Sequence, residues 1–258
     1  MNATEGWMAL AQRLADAAGT VIRRYFRQPI AVDDKADQSP VTIADREAEQ
    51  AMRELIVQAY PDHGIFGEEH GVTQGRSGLV WVLDPIDGTR AFITGKPSFG
   101  TLIGLWEGER PILGIIDQAI LNERWLGVAG RPTTLNGKPV RCRPCDAVSK
   151  AALYATAPEM FAGDTAPAFE RLRQAVKLPR FGADCYAYAL LASGFVDLVA
   201  EASLKPYDYA ALVPVIEGAG GVTSDWQGRP LTLKSNGTVL AAGDARAHAQ
   251  ALALLRGR

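Results

Sequence analysis

The residues best suited to chemistry crowd into one stretch, WVLDPIDGTRAF, from Trp81 to Phe92. Val80 to Leu83 form an unbroken apolar run of the kind buried strands show. Asp84 closes the run, Pro85 bars continuation as an ordinary ladder strand, and Asp87 follows. Gly88 then permits a tight backbone path that a ligand can approach closely. The plain reading is a strand-to-loop turn, for which Asp, Pro and Gly are the usual residues. That reading leaves two carboxylates together without a cation between them, and such acids repel unless a metal or a shared proton neutralises them.

Further acids stand at element ends. Glu68 and Glu69 follow GIFG, and Asp208 lies in KPYDYAA ahead of a helix. Singly, Asp208 reads as a helix cap and the two glutamates as a solvated loop. Collectively they offer the oxygen ligands that hard divalent cations prefer. An EF-hand loop is excluded, since the twelfth position from Asp84 is Gly95 and not a glutamate. Neither G-x-G-x-x-G nor G-x-x-x-x-G-K-[ST] occurs, and no Ser or Cys stands in a convincing nucleophilic arrangement. Cys142-x-x-Cys145 has the spacing of half a zinc site, but His63, His70 and His248 are scattered, and Pro144 separates the thiols in a loop-like segment. With Cys185 the cysteines are odd in number, and they read as plain thiols.

These acids need a framework. Apolar residues from Met8 to Tyr25 repeat at helical spacing, and a second amphipathic helix begins after Thr42 and stops at Pro61. GIFG, SFGTLIGLWEGERPILGIIDQAI and ERWLGVAG read as strands, the middle stretch folding back at Glu-Gly-Glu-Arg. TLNGKPV carries an Asn-Gly turn. Beyond residue 145 the strands AALYAT, VDLVAE, GGVTS and TVLAA alternate with helices over Ala166–Val176, Tyr186–Ser193, Tyr209–Glu217 and Ala245–Leu255. The expected division is an α+β half, 1–145, carrying most of the acids, and an α/β half, 146–258, packed tightly across a shared cleft.

The 258 residues carry 47% hydrophobic and 22% charged side chains, as ordinary globular proteins do. A net charge of −2 gives no reason to expect nucleic acid or an acidic membrane surface. No apolar run approaches the roughly 20 residues of a membrane span, and the N-terminus lacks the pattern of a signal peptide, so a cytoplasmic location is expected.

WVLDPIDGTRAF, the upstream GEE, SPVTIAD preceded by Lys35, and YDYAALVPVIEGAGG occur in an order and spacing that resemble the inositol monophosphatase family. The resemblance implies a layered αβαβα fold, a cleft site between the halves, a homodimer, and Mg²⁺-dependent, lithium-sensitive hydrolysis of small phosphorylated substrates. It implies two or three Mg²⁺ ions, the first held by Glu68, Asp84 and the carbonyl of Ile86, the second by Asp84, Asp87 and Asp208, and a weaker third near Glu68. Gly88 and Thr89 would bind phosphate through backbone N–H groups, while Asp45 and the Thr89 hydroxyl would orient the attacking water, with Glu68 also placed in the catalytic set.

DGTRAF departs from the Asp-Gly-Thr-Thr-Asn-Phe usual in inositol phosphatases, and Arg90 with EASLKPYDYAA resembles the histidinol-phosphatase branch. A pocket for a cationic substrate needs extra negative charge, for which Asp184 and Glu201 are the candidates. The plain reading of Asp184 is a cap for the helix starting at Tyr186. Expected activity is therefore hydrolysis of L-histidinol phosphate, with inositol 1-phosphate, fructose 1,6-bisphosphate and adenosine 3′,5′-bisphosphate as alternatives.

Overall fold

In the computed structural model, residues 3–34 and 40–257 are described; Lys35 and Ser39 of the sequence motifs lie outside them. Helix α1 (Ala3–Tyr25) buries the stripe Leu10, Leu14, Ala18 and Ile22, the face predicted by its periodicity. Strands β1 (Val32–Asp34) and β2 (Pro40–Thr42) pair antiparallel in the polar segment, which sequence reading left without structure. Helix α2 (Ile43–Ala59) starts where Thr42 predicted. The Thr42 hydroxyl accepts from Ala44 N–H, and Asp45 accepts from the Thr42 backbone N–H, a reciprocal cap.

Strands β3 (Gly64–Gly67), β4 (Gly71–Thr73) and β5 (Leu79–Asp87) lead into the short helix α3 (Thr89–Ile93). Strands β6 (Gly100–Glu107) and β7 (Arg110–Gln118) form the expected hairpin, followed by β8 (Glu123–Val128), β9 (Thr134–Leu135) and β10 (Lys138–Pro139). Asn136 and Gly137 both have positive φ at the predicted turn. These strands make an eight-stranded sheet in the order β10-β9-β8-β7-β6-β5-β3-β4. The second half adds β11 (Ala152–Ala155), α4 (Thr165–Ala175), β12 (Leu178–Phe181), α5 (Tyr186–Ala192), β13 (Leu198–Glu201), α6 (Pro206–Tyr209), α7 (Leu212–Gly218), β14 (Val222–Ser224), β15 (Val239–Ala242) and α8 (Ala245–Leu255). Its sheet runs β12-β11-β13-β15-β14, parallel across the first three strands and antiparallel beyond.

Five layers result. Helices α1 and α2 cover one face of the large sheet, and α5, α6 and α7 fill the space between the sheets. Helix α8, with α4 against it, closes the outer face of the second sheet. The αβαβα expectation holds. The middle apolar layer joins residues of both halves, including Val82, Trp106 and Trp125 with Tyr188, Val199 and Val213.

Two expectations differ from the structure. Tyr209–Glu217 is not one helix but α6 and α7, because Pro214 has no N–H to offer the carbonyl of Ala210. Trp106 Nε1 donates to that carbonyl instead, at 3.1 Å. Gly114 is glycine because a Cβ there would overlap the Ala211 carbonyl, so sheet and helix approach backbone to backbone. Strand β12 was not anticipated since it contains Pro179, which is tolerated at a sheet edge, where β12 lies.

Candidate metal and phosphate site

Strand β5 reaches Asp87 despite Pro85, but its register with β6 shifts between Asp84 and Asp87. Proline thus deflects the ladder without ending it, and the Pro85 carbonyl accepts a hydrogen bond from Thr101 Oγ1 at 2.8 Å. The shift aims Asp84 and Asp87 into one cleft. Asp208 meets them from α6, and one oxygen from each of the three lies within 4.8 Å of the others. Asp208 is not the N-cap expected ahead of a helix: it stands inside α6, where Lys205 is the N-cap and donates its backbone N–H to Asp208 at 2.6 Å. Glu68 arrives from the end of β3, and its backbone N–H donates to Leu83 O at 3.1 Å.

Burial pushes the carboxyls of Asp84 and Asp87 well above the usual range, and mutual repulsion with Glu68, Asp208, Asp184 and Glu201 adds to it. Asp208 is raised to about 7, burial outweighing the opposing bond from Lys205 N–H. Asp84 lies against Glu68 and Asp208, whose charges disfavour its ionised form. Its Oδ1 is buried and, among the described residues, has no hydrogen-bond partner. An orphaned carboxylate oxygen within an all-oxygen donor set is what a hard divalent cation satisfies. The residues fit a metal.

Asp45 and Thr89, expected to orient a water, also stand together. Asp45, wholly buried, accepts from Thr42 N–H at 2.9 Å and from Thr42 Oγ1 at 2.6 Å through one oxygen, and its other lies 3.4 Å from Thr89 Oγ1. Burial raises its pKa despite the Thr42 bonds. The same Thr89 hydroxyl reaches Ile86 O at 3.2 Å. Gly88, at φ 88°, precedes α3, and a Cβ there would stand 2.8 Å from the Asp184 side chain, so glycine is required twice over. Helix α3 spans five residues, so it offers its first amides rather than a long summed dipole.

A cleft of about 200 Å³ opens from this cluster, with Asp184, Tyr188 and Glu201 on its far wall and Arg90 exposed at the rim. Asp184 does not cap α5 with its side chain. Its Oδ2 accepts from Ser98 Oγ at 2.7 Å, while the N-cap residue is Cys185, whose N–H donates to Asp87 Oδ2 at 2.7 Å. Glu201 accepts from Thr156 N–H at 2.7 Å and from Tyr188 O–H at 2.8 Å. Ser98, Thr156 and Tyr188 went unnoticed in the sequence: Tyr188 reads there as one more core position of its helix, and Ser98 sits in no motif. A larger cavity of about 330 Å³ beside α1 is remote from this chemistry, and its acids Asp16 and Asp117 both pair with Arg124. Cys142 and Cys145 belong to no cluster of potential ligands found among the described residues.

The family model for the inositol monophosphatase family matches residues 4–257. The chain belongs to this family. Family members are metal-dependent phosphatases of small phosphorylated substrates, and this chain carries a cluster of three acids that could hold a metal ion. A relative described as "Bifunctional phosphatase IMPL2, chloroplastic", from Arabidopsis thaliana, is 54% identical over 95% of this chain and 73% of its own length. A histidinol-phosphatase of Chlorobaculum parvum is 36% identical over 91% of each chain. Among solved structures, an inositol monophosphatase from Zymomonas mobilis superimposes with a TM-score of 0.91 at 50% identity, covering 99% of this chain and all of that one.

Proposed function

We propose that this inositol monophosphatase family member hydrolyses L-histidinol phosphate to L-histidinol and inorganic phosphate with Mg²⁺. The observation that carries the substrate is the far wall of the cleft. Asp184 is bonded by the neutral Ser98 hydroxyl, and Glu201 by a neutral amide and the Tyr188 hydroxyl. No cation is hydrogen-bonded to either carboxylate among the described residues, with Lys96 acting on Asp184 only through its field. Burial raises both carboxyls, so a substrate ammonium or imidazolium beside them would favour their ionised form, a charge-assisted contact worth roughly 1.5–3 kcal/mol. Inositol offers only hydroxyls. Relatives named histidinol-phosphatase, at 36% identity in one case, support the same choice.

Glu68, Asp84, Asp87, Asp208 and the Ile86 carbonyl are assigned to the metals. When bound, Mg²⁺ supplies charge neutralisation for the phosphate dianion and a lowered pKa for a coordinated water. The amides of Gly88 and Thr89 hold the phosphate oxygens at the start of α3. The Thr89 hydroxyl orients the attacking water and passes its proton toward Asp45, whose burial makes it a better base than an exposed carboxylate. Arg90, at the rim, and Asp184 and Glu201, on the wall, orient the leaving group. Homodimerisation and a cytoplasmic location belong to the same proposal, the first testable by light scattering of the purified protein.

The test is kcat/KM for L-histidinol phosphate against myo-inositol 1-phosphate in the wild type and in Asp184→Asn. Asparagine tolerates the φ of 48° at this position, so the variant removes charge without adding backbone strain. Histidinol phosphate should win by about 100-fold, ~2.7 kcal/mol of discrimination, and the variant should lose that preference. Equal rates on both substrates would favour the second reading, an inositol or broader sugar phosphatase, to which the Zymomonas mobilis structure at 50% identity lends weight.

A further inference from the structure

Helix α2 contributes more to the site than Asp45. One turn on, Glu49 is wholly buried, and one further turn brings Arg53, 8% exposed. Arg53 Nε donates to Glu49 Oε1 at 2.7 Å. The carboxylate is not spent on that pair alone. Its Oε2 accepts from the backbone N–H of Glu69 at 2.7 Å, and its Oε1 from that of His70 at 3.1 Å. Arg53 extends the grip, donating from Nη2 to Gly71 O and from Nη1 to Thr73 Oγ1 at 3.1 Å. Gly67 completes it, because a Cβ there would overlap the Glu49 carboxylate. The turn from Gly67 to Gly71, which contains Glu68, is thus bound on its inner side to a buried ion pair on α2.

We infer that Glu49 is a positioning residue for Glu68, holding this ligand's backbone against α2 so that its carboxylate enters the cleft already facing Asp84. The inference rests on Glu68 acting as a metal ligand. Its physical basis is that Glu68 gathers with buried acids that repel it. Left to itself, a short polar turn would relieve that repulsion by swinging outward. Charge-assisted bonds to two successive amides prevent the movement and hold the cluster together before any cation arrives. Asp45 lies one turn away on the same rigid helix, so a single element sets both the water-orienting carboxylate and the first metal ligand.

The experiment is a Mg²⁺ titration of wild type, Glu49→Gln and Arg53→Lys, read by Tm without substrate and by hydrolysis of the preferred phosphomonoester. Supporting residues behind metal ligands typically govern affinity by about 10- to 100-fold. Half-saturating Mg²⁺ should rise at least ~10-fold in Glu49→Gln in both readouts, while KM for the ester at saturating Mg²⁺ stays within about twofold. Arg53→Lys, which keeps the charge but loses the fork, should show a smaller rise, and it decides the matter if Glu49→Gln does not fold. A lower Tm with an unchanged Mg²⁺ midpoint in the folded variants would overturn the inference and leave the pair a packing device. A wild type whose Tm and activity ignore Mg²⁺ would overturn the metal assignment and this inference together.

Discussion

The carboxylates on the two walls of the cleft differ in what satisfies them. On the β5 wall, Asp84, Asp87 and Asp208 face one another, and among the described residues one buried oxygen of Asp84 has no hydrogen-bond partner. On the opposite wall, Asp184 and Glu201 are bonded by neutral donors of the protein itself. Both walls are acidic, but only the first is incomplete as folded. Three carboxylates pressed together with a buried oxygen left unpaired cost stability until a cation joins them, whereas carboxylates bonded by neutral donors are each satisfied by the protein. The first arrangement suits a metal, and the second suits an organic cation.

The sharpest way to break this contrast is Asp87→Asn. Its side-chain carbonyl can still accept from Cys185 N–H, so the fold should survive, while kcat should fall by about 10³-fold or more through lost coordination. Near-normal turnover in the variant, or in wild type treated with EDTA, would remove the metal reading of the first wall.

The next largest effect concerns stability and pH. Asp84, Asp87 and Asp208 hold protons in the folded chain that an unfolded chain releases near about pH 4. That stabilisation is complete below the unfolded value and is lost as pH rises through the folded values, about 7 for Asp208. Calorimetry of metal-free protein should show Tm falling by several degrees between about pH 5 and pH 8, and Mg²⁺ should shrink the fall. A flat profile without metal would mean that the cluster is not protonated as described.

Ser98→Ala sharpens the description of the second wall. Losing the 2.7 Å bond frees Asp184 to turn, so KM for histidinol phosphate should rise about fivefold, the ~1 kcal/mol of one hydrogen bond. KM for myo-inositol 1-phosphate should not change, and an equal rise for both substrates would assign Ser98 a general packing role. The smallest effect is lithium, which should halve turnover at roughly tens of millimolar by competing at the second metal position. Full activity at that concentration under fixed Mg²⁺ would point to an altered second site.

Much of this was legible in the chain itself. The period of α1, the Thr42 cap, the Asn136-Gly137 turn and the apolar run ending at Asp84 are local signals, and local physics decides them. The family resemblance of the motifs around Asp84, Asp87 and Asp208 led to the expectation that these acids meet, and the structure brings the three together. Tertiary structure alone decided the rest. The break between α6 and α7 depends on Trp106 taking a carbonyl that Pro214 cannot serve, and β12 exists only because a sheet edge tolerates Pro179. Asp184 could equally have capped α5 until Ser98, from the start of the β6 hairpin, claimed its carboxylate. Glu49 reads in sequence as one more acid on an amphipathic helix, yet the fold buries it against the Glu68 turn. Hydrogen bonds between residues distant in sequence leave no periodicity to read, because each partner is an ordinary polar residue in its own segment and acquires its role only when the layers close.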